Sequence, residues 1–145
     1  MRELEYPFDS DLILQKKKSF RRELMKDDSV RIKKNIAILG GSTTALVAQL
    51  LDLFLLNAGI EASFYESEYN QFYEDACFNN TELESFGADV FYLHTSIHNI
   101  NYWPSIKDSP EEVLAKEDKV FNFFKDIWES LEQTKAVIIQ NNFEM

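Results

Sequence analysis

The segment best suited to chemistry is Gly40-Gly41-Ser42-Thr43-Thr44, which directly follows the apolar run Ile36-Ala37-Ile38-Leu39. A glycine turn that opens a helix exposes backbone N–H groups and sets hydroxyls at the positive end of the helix dipole, which suits an anion, an oxyanion or a nucleophilic hydroxyl. The segment is not a dinucleotide fingerprint, since the third glycine of GxGxxG is missing, and it is not a P-loop, since no Gly-Lys-Ser/Thr follows. Ser42 as a nucleophile needs a base. Only His94 and His98 are available as imidazoles. Their i, i+4 spacing lacks the Glu of HExxH, so no metal site is assigned to them. Every strand-to-helix turn needs these same residue types, so a plain helix cap accounts for the glycine turn equally well.

These groups need a frame that brings them together. Asp9 or Ser10 can cap a first helix to about Met25, with Ile13, Phe20 and Leu24 on one face and a basic middle of Lys16, Lys17, Lys18, Arg21 and Arg22. Asp27-Asp28-Ser29 ends it, and a basic ramp (Arg31, Lys33, Lys34) leads into a strand over Ile36–Gly40. Ser42 or Thr43 caps the next helix, Thr44–Asn57, which is apolar nearly all round and therefore covered on most sides. Asn57-Ala58-Gly59 stops it. Ile60–Tyr65 is a second strand, followed by a loop and helical sequence to Phe78 and a short helix from Thr81 to Phe86 closed by Gly87. Asp89–His94 is the third strand, and Thr95–Asp108 a loop. Ser109-Pro110-Glu111-Glu112 is a capping-box start for a helix to about Gln133, with Val113, Val120, Phe124, Ile127 and Leu131 on its stripe and Phe121 and Trp128 beside it. Ala136–Gln140 is the fourth strand.

The order helix, then β-α-β-α-β-α-β, predicts an α/β fold, three-layer α/β/α, around a parallel sheet with right-handed crossovers. The expected strand order is 2-1-3-4. Ligands of such sheets bind beyond the carboxyl ends of the strands at the switch point. The residues expected there are Gly40, Gly41, Ser42, Thr43 and Thr44 after the first strand, Glu66 to Tyr69 after the second, His94 to Asn99 after the third, and Asn141 and Asn142 after the fourth, with Glu66 and Asn99 as the binding candidates of the middle two.

Composition narrows the function. The 145 residues are about one domain, and 45% apolar content with twelve Phe and four Gly supplies a core. One Cys gives no intramolecular disulfide and fits a reducing compartment. No apolar stretch approaches the length of a membrane span, and Met1-Arg2-Glu3-Leu4-Glu5 lacks a signal-peptide layout, so a cytoplasmic location is expected. Asn79-Asn80-Thr81 is then a glycosylation acceptor in form only. The net charge of −10 hides a split. Residues 1–35 hold ten Lys and Arg against seven Asp and Glu, and the rest five against eighteen. No Lys or Arg lies between Lys34 and Lys107, which argues against nucleic acid as a partner.

Four segments together resemble one family. Leu4–Leu24, Ile36–Thr44, Phe64–Phe72 (Phe-Tyr-Glu-Ser-Glu-Tyr-Asn-Gln-Phe) and Val137–Glu144 (Val-Ile-Ile-Gln-Asn-Asn-Phe-Glu) are similar to the N-terminal region of FkbH-like proteins of the HAD superfamily, phosphatase subfamily IIIC. The resemblance implies an SGNH-hydrolase-like or flavodoxin-like domain ahead of a HAD domain that carries an Asp-x-Asp motif and Mg²⁺. Family members load a glyceryl group onto an acyl carrier protein or serve surface-polysaccharide, lipid or polyketide biosynthesis. The implied division is a helical arm over residues 1–30 and an SGNH-like domain over 31–145, short at its C-terminus. No cofactor is expected in this segment. Asp9-Ser10-Asp11 precedes a helix rather than following a buried strand, so the HAD nucleophile is not in these residues. Gly40-Gly41-Ser42 stands where an SGNH Gly-Asp-Ser block would, and Asn99 where its third-block Asn would. The SGNH histidine normally lies in a later segment.

The implied role is accessory: recognition of a small-molecule substrate or an acyl carrier protein, with Lys17, Arg21 and Arg22 as a docking face beside the HAD domain. Two alternatives are an SGNH-type serine hydrolase using Ser42 and a free-standing interaction module.

Overall fold

The structure is a computed structural model that describes residues 1–27, 29–78 and 80–143. Asp28, Asn79 of the acceptor sequence, and Glu144 and Met145 lie outside the described residues. Four strands, β1 (Ile32–Gly40), β2 (Ile60–Glu66), β3 (Val90–His94) and β4 (Val137–Gln140), form one sheet in the order β2-β1-β3-β4. All three pairings are parallel. The helices are α1 (Ser10–Leu24), α2 (Ala45–Asn57), α3 (Phe72–Cys77), α4 (Thr81–Phe86) and α5 (Pro110–Glu132). This is the α/β architecture and strand order that the sequence predicts.

The alternation of β1 sorts its side chains into two cores. Ile36 and Ile38 pack with Ala48 of α2 on one face. Ala37 and Leu39 face the other way, into the cluster of Phe72, Phe91, Leu93, Phe124, Ile127 and Leu131 beneath α3 and α5. The outer side of α2 is covered by α1. Leu53 of α2 interlocks there with Leu4, Ile13 and Phe20. Burying a side chain such as Phe20 or Ile13 is worth about 1.5–3 kcal/mol, so α1 is packed down on α2. One carboxylate, Asp52, is carried into this layer, and Arg21 of α1 pairs with it through Nε.

The element ends differ from the sequence reading in ways that have physical causes. β1 begins at Ile32, so Lys33 and Lys34 are strand residues and not a ramp. Residues 32–35 pair with β2 alone, whereas β3 joins only from Ile36. The lysines thus sit on a stepped rim of the sheet. Thr44, and neither Ser42 nor Thr43, is the N-cap of α2, and its side chain makes no cap bond. The first helix is capped by Asp9, which accepts from Leu12 N at 2.9 Å. The Ser109 capping box of α5 forms in both directions. Gly59 and Gly87 have φ of +80° and +62° and close α2 and α4 as positive-φ stops. The loop after β3 contains a short 3₁₀ turn, Ile97–Asn99.

The stripe expected on α5 holds only in its C-terminal half. Val113 and Phe121 are exposed, and burial is complete only at Phe124, Ile127 and Leu131. The helix has 23 residues and spans about 34 Å, while the five-residue β3 it covers spans about 17 Å. Its first turns therefore stand beyond the sheet. The loop 102–108 is fastened to them by Lys116, which donates to the Trp103 carbonyl at 3.2 Å and to Asp108 at 2.5 Å.

Asp89 brackets the foot of the sheet. Its carboxylate accepts from Asn35 N at 2.8 Å and from Lys34 Nζ at 3.1 Å. The Asn35 backbone bond and the Lys34 bond hold its pKa below the ordinary 3.8. A folded-state value below the unfolded one adds stability that is present above 3.8 and is lost as pH falls through the folded value. The variant Asp89→Ala is expected to flatten this acid limb of a pH series of urea unfolding curves. An acid limb identical to that of the parent chain would contradict the assignment.

Candidate functional site

The carboxyl ends of the four strands carry four loops, and side chains tie each loop to the next. Between β1 and β2, Thr44 Oγ1 donates to Glu66 Oε2 at 2.7 Å, and Gly40 N donates to Ser67 Oγ at 2.9 Å. Thr44 is buried, so its hydroxyl is spent on a partner 22 residues away and not on its own helix. Between β1 and β3, Gly41 N donates to the His94 carbonyl at 3.0 Å, and Asn99 Nδ2 donates to the Gly41 carbonyl at 3.2 Å. Asn99 is buried as well, and its Oδ1 accepts from Ser96 N at 2.8 Å. Between β3 and β4, the Asn141 carboxamide acts as a peptide would. Its Oδ1 accepts from Thr95 N at 2.9 Å and its Nδ2 donates to the Thr95 carbonyl at 2.6 Å.

The two glycines of the turn are needed for room. Neither has a positive φ. A Cβ on Gly40 would run into the Thr44 methyl, and a Cβ on Gly41 would fall inside the Asn99 carboxamide. Gly41 and Asn99 are therefore one unit: the missing side chain is the space that the buried amide fills.

Of the residues expected at this edge, the structure brings Gly40, Gly41, Thr44, Glu66, Asn99 and Asn141 into the linked belt. Ser42 and Thr43 are exposed on the turn, and Asn142 is exposed beyond Asn141. Among the described residues no hydrogen bond joins Ser42 to either histidine. His94 Nδ1 lies 3.1 Å from the Tyr92 hydroxyl. Burial pushes the Tyr92 phenol up, so it keeps its proton. When the phenol donates to Nδ1, the ring hydrogen sits on Nε2; when the imidazole donates from Nδ1, Nε2 carries the free lone pair. Cys77 lies on α3, away from this edge, and burial pushes its thiol up. Among the described residues no three His, Cys, Asp or Glu side chains converge as metal ligands.

Ser67 and Thr95 fall within the stretches expected at this edge, and the structure brings both into the belt, although nothing in the sequence singles either out. Ser67 lies in the acidic aromatic segment after β2, with nothing to set it apart from its neighbours. Thr95 is 2% exposed, accepts from Gln140 Nε2 at 3.3 Å, and through Gln140 connects to Trp128 Nε1, which donates to Gln140 Oε1 at 2.7 Å. Of the three basic residues expected on a docking face, Arg21 is engaged with Asp52, Arg22 is exposed, and Lys17 is half-buried beside the α1–α2 seam.

The fold recurs in a solved structure. The N-terminal part of the protein BF1531 from Bacteroides fragilis, which contains a phosphatase domain and was crystallised with Mg, superposes with a TM-score of 0.70 at 21% sequence identity. The match covers 89% of this chain and 33% of that one, so the chain spans about a third of the length of its structural neighbour. The N-terminal fold implied by the resemblance in sequence is the fold found. No family model matches the chain, and no curated protein does. Among the described residues no helix is long and apolar enough to cross a membrane.

The Gly41–Asn99 unit can be tested by a double-variant cycle. Gly41→Ala is expected to destabilise by about 1–3 kcal/mol through overpacking. Asn99→Ala is expected to cost about 1–2 kcal/mol for the lost buried bonds. The pair should cost less than the sum, because the new methyl enters the space the amide leaves. Strict additivity in denaturant unfolding would show that the two positions do not share that space.

Proposed function

We propose that this chain is the N-terminal recognition domain of an FkbH-like protein of the HAD superfamily, acting beside a Mg²⁺-dependent phosphatase or transferase domain of the same protein. The observation that supports this is the shared fold with the N-terminal part of a phosphatase-domain protein, of which the match takes in a third. The quoted Tyr-Glu-Ser-Glu-Tyr-Asn-Gln and Gln-Asn-Asn-Phe-Glu segments point the same way. In this reading the carboxyl-edge belt receives a small polar group of the substrate, and the basic face of α1 meets an acidic acyl carrier protein. The helical arm and the α/β domain act as one body, since Ile13 and Phe20 anchor α1 on α2.

Lys17→Glu with Arg22→Glu tests the carrier face and leaves the Arg21–Asp52 pair intact. The double variant is expected to lower acyl carrier protein affinity at low salt by about tenfold, read by titration calorimetry. Unchanged affinity would sink the docking face.

The exposed hydroxyl of Ser42 on the glycine turn favours a second reading, a serine hydrolase of SGNH type. With neither histidine bonded to Ser42, a fluorophosphonate probe is expected to leave the chain unlabelled. Labelling that disappears in Ser42→Ala would establish the hydrolase and displace the accessory role.

A further inference from the structure

A concavity opens between α1 and α2, in two lobes that share Arg21, Gln49 and Asp52. The outer lobe, about 220 Å³, is walled by Lys17 and Lys18. The inner lobe, about 280 Å³, has a floor of Ala48, Ala62 and Phe64 and ends at Glu66. The lining of the two lobes runs along α2 from Ala45 to Asp52, about 10 Å at 1.5 Å per residue.

Charge and geometry decide what fits. The Asp52 side chain is 12% exposed, and its bond to Arg21 Nε fixes the guanidinium across the cleft. The two Arg21 amino groups make no hydrogen bond among the described residues, and neither Lys17 nor Lys18 has an ion pair there. In the outer lobe three cations thus face one carboxylate, in a protein of net charge −10 that has no Lys or Arg between Lys34 and Lys107. A planar guanidinium held at one edge presents its remaining fork to a phosphate or carboxylate, and a phosphate best uses the two ammonium groups beside it. The alanines leave width for a chain, and the Glu66 carboxylate at the far end accepts from a hydroxyl or amide.

We infer that the α1–α2 cleft binds a phosphate-headed linear ligand, its phosphate on Lys17, Lys18 and Arg21 and its chain laid along the alanine floor towards Glu66. The ligand is a soluble ester, because Lys17, Lys18 and Arg21 gather at one end of a cleft about 10 Å long and are not spread over a broad basic face. This goes beyond the docking of a carrier and stands or falls separately from it.

The probes are n-hexyl phosphate, inorganic phosphate and n-hexanol, followed by calorimetry and amide chemical shifts. Hexyl phosphate is expected to bind at least about tenfold more tightly than inorganic phosphate, with shifts at Gln49, Ala62 and Phe64, and hexanol is expected not to bind. Lys17→Glu with Lys18→Glu should abolish binding of both phosphates. Ala45→Phe, an exposed position on the inner lobe, should reduce hexyl phosphate to the level of inorganic phosphate and leave the latter unchanged. No binding of hexyl phosphate, equal affinity for the two phosphates, indifference to the lysine reversals, or a preference for phosphatidylcholine vesicles containing phosphatidic acid would each overturn the inference. If hexyl phosphate fails while the acyl carrier protein still responds to Lys17→Glu with Arg22→Glu, the cleft is refuted and the docking face stands.

Discussion

α2 is apolar nearly all round, and that constraint organises the molecule. An amphipathic crossover helix buries one stripe on its sheet and gives the other to water. Here Leu53 points away from the sheet and Ala48 towards it, and both are buried. A second cover is therefore obligatory, and α1 supplies it. Once α1 lies on α2, its basic residues are no longer a loose arm. They are held along one seam, at the side of the sheet where β2 forms the edge. Asp52 makes the seam specific: a carboxylate only 12% exposed between two helices needs a partner, and Arg21 is the residue of α1 that meets it. The position of every cation at that seam follows from the apolar helix beneath.

The carboxyl edge is built on a different principle. Its loops are not packed together by large apolar groups. They are linked by single polar side chains, buried Thr44 and Asn99 and half-buried Asn141, each reaching from one loop to the backbone or side chain of the next. Polar links of this kind have defined directions, and a half-made one leaves an unsatisfied group that costs about 1–3 kcal/mol. The edge is thereby held in one arrangement without a ligand, which keeps low the ordering cost of binding.

Much of this was legible in the residues. The alternation of short apolar runs with helical sequence gave the parallel sheet and its order, because each such run has one way to be buried. Ser109-Pro110-Glu111-Glu112 announced its helix start, since every partner in a capping box is local. The cap of α2 differs from the local expectation of Ser42 or Thr43 for the opposite reason. Thr44 is diverted by Glu66, and a preference that depends on a group 22 positions away leaves no local mark. The same holds for Asn99 and Gly41, 58 positions apart, whose fit is a matter of space. Lys33 and Lys34 read as a break before the strand because charge is rare in a buried one. They are tolerated because that half of β1 lacks its second neighbour. On α5, periodicity identified the stripe, but only the length of the strands beneath decides how much of a stripe is covered.

The overhang of α5 gives a single continuous helix two different stabilities. Its C-terminal half is anchored by Phe124, Ile127 and Leu131, and its amide hydrogens can exchange with solvent only when the whole domain opens. Its N-terminal half is held by the Ser109 capping box, by Lys116 and by ordinary helix propensity, which lets it unwind by local excursions of far smaller free energy. The boundary falls between Val120 and Phe124. Slow and fast exchange therefore meet within one turn of an unbroken helix, and the rim of the candidate site is flanked by the fast side.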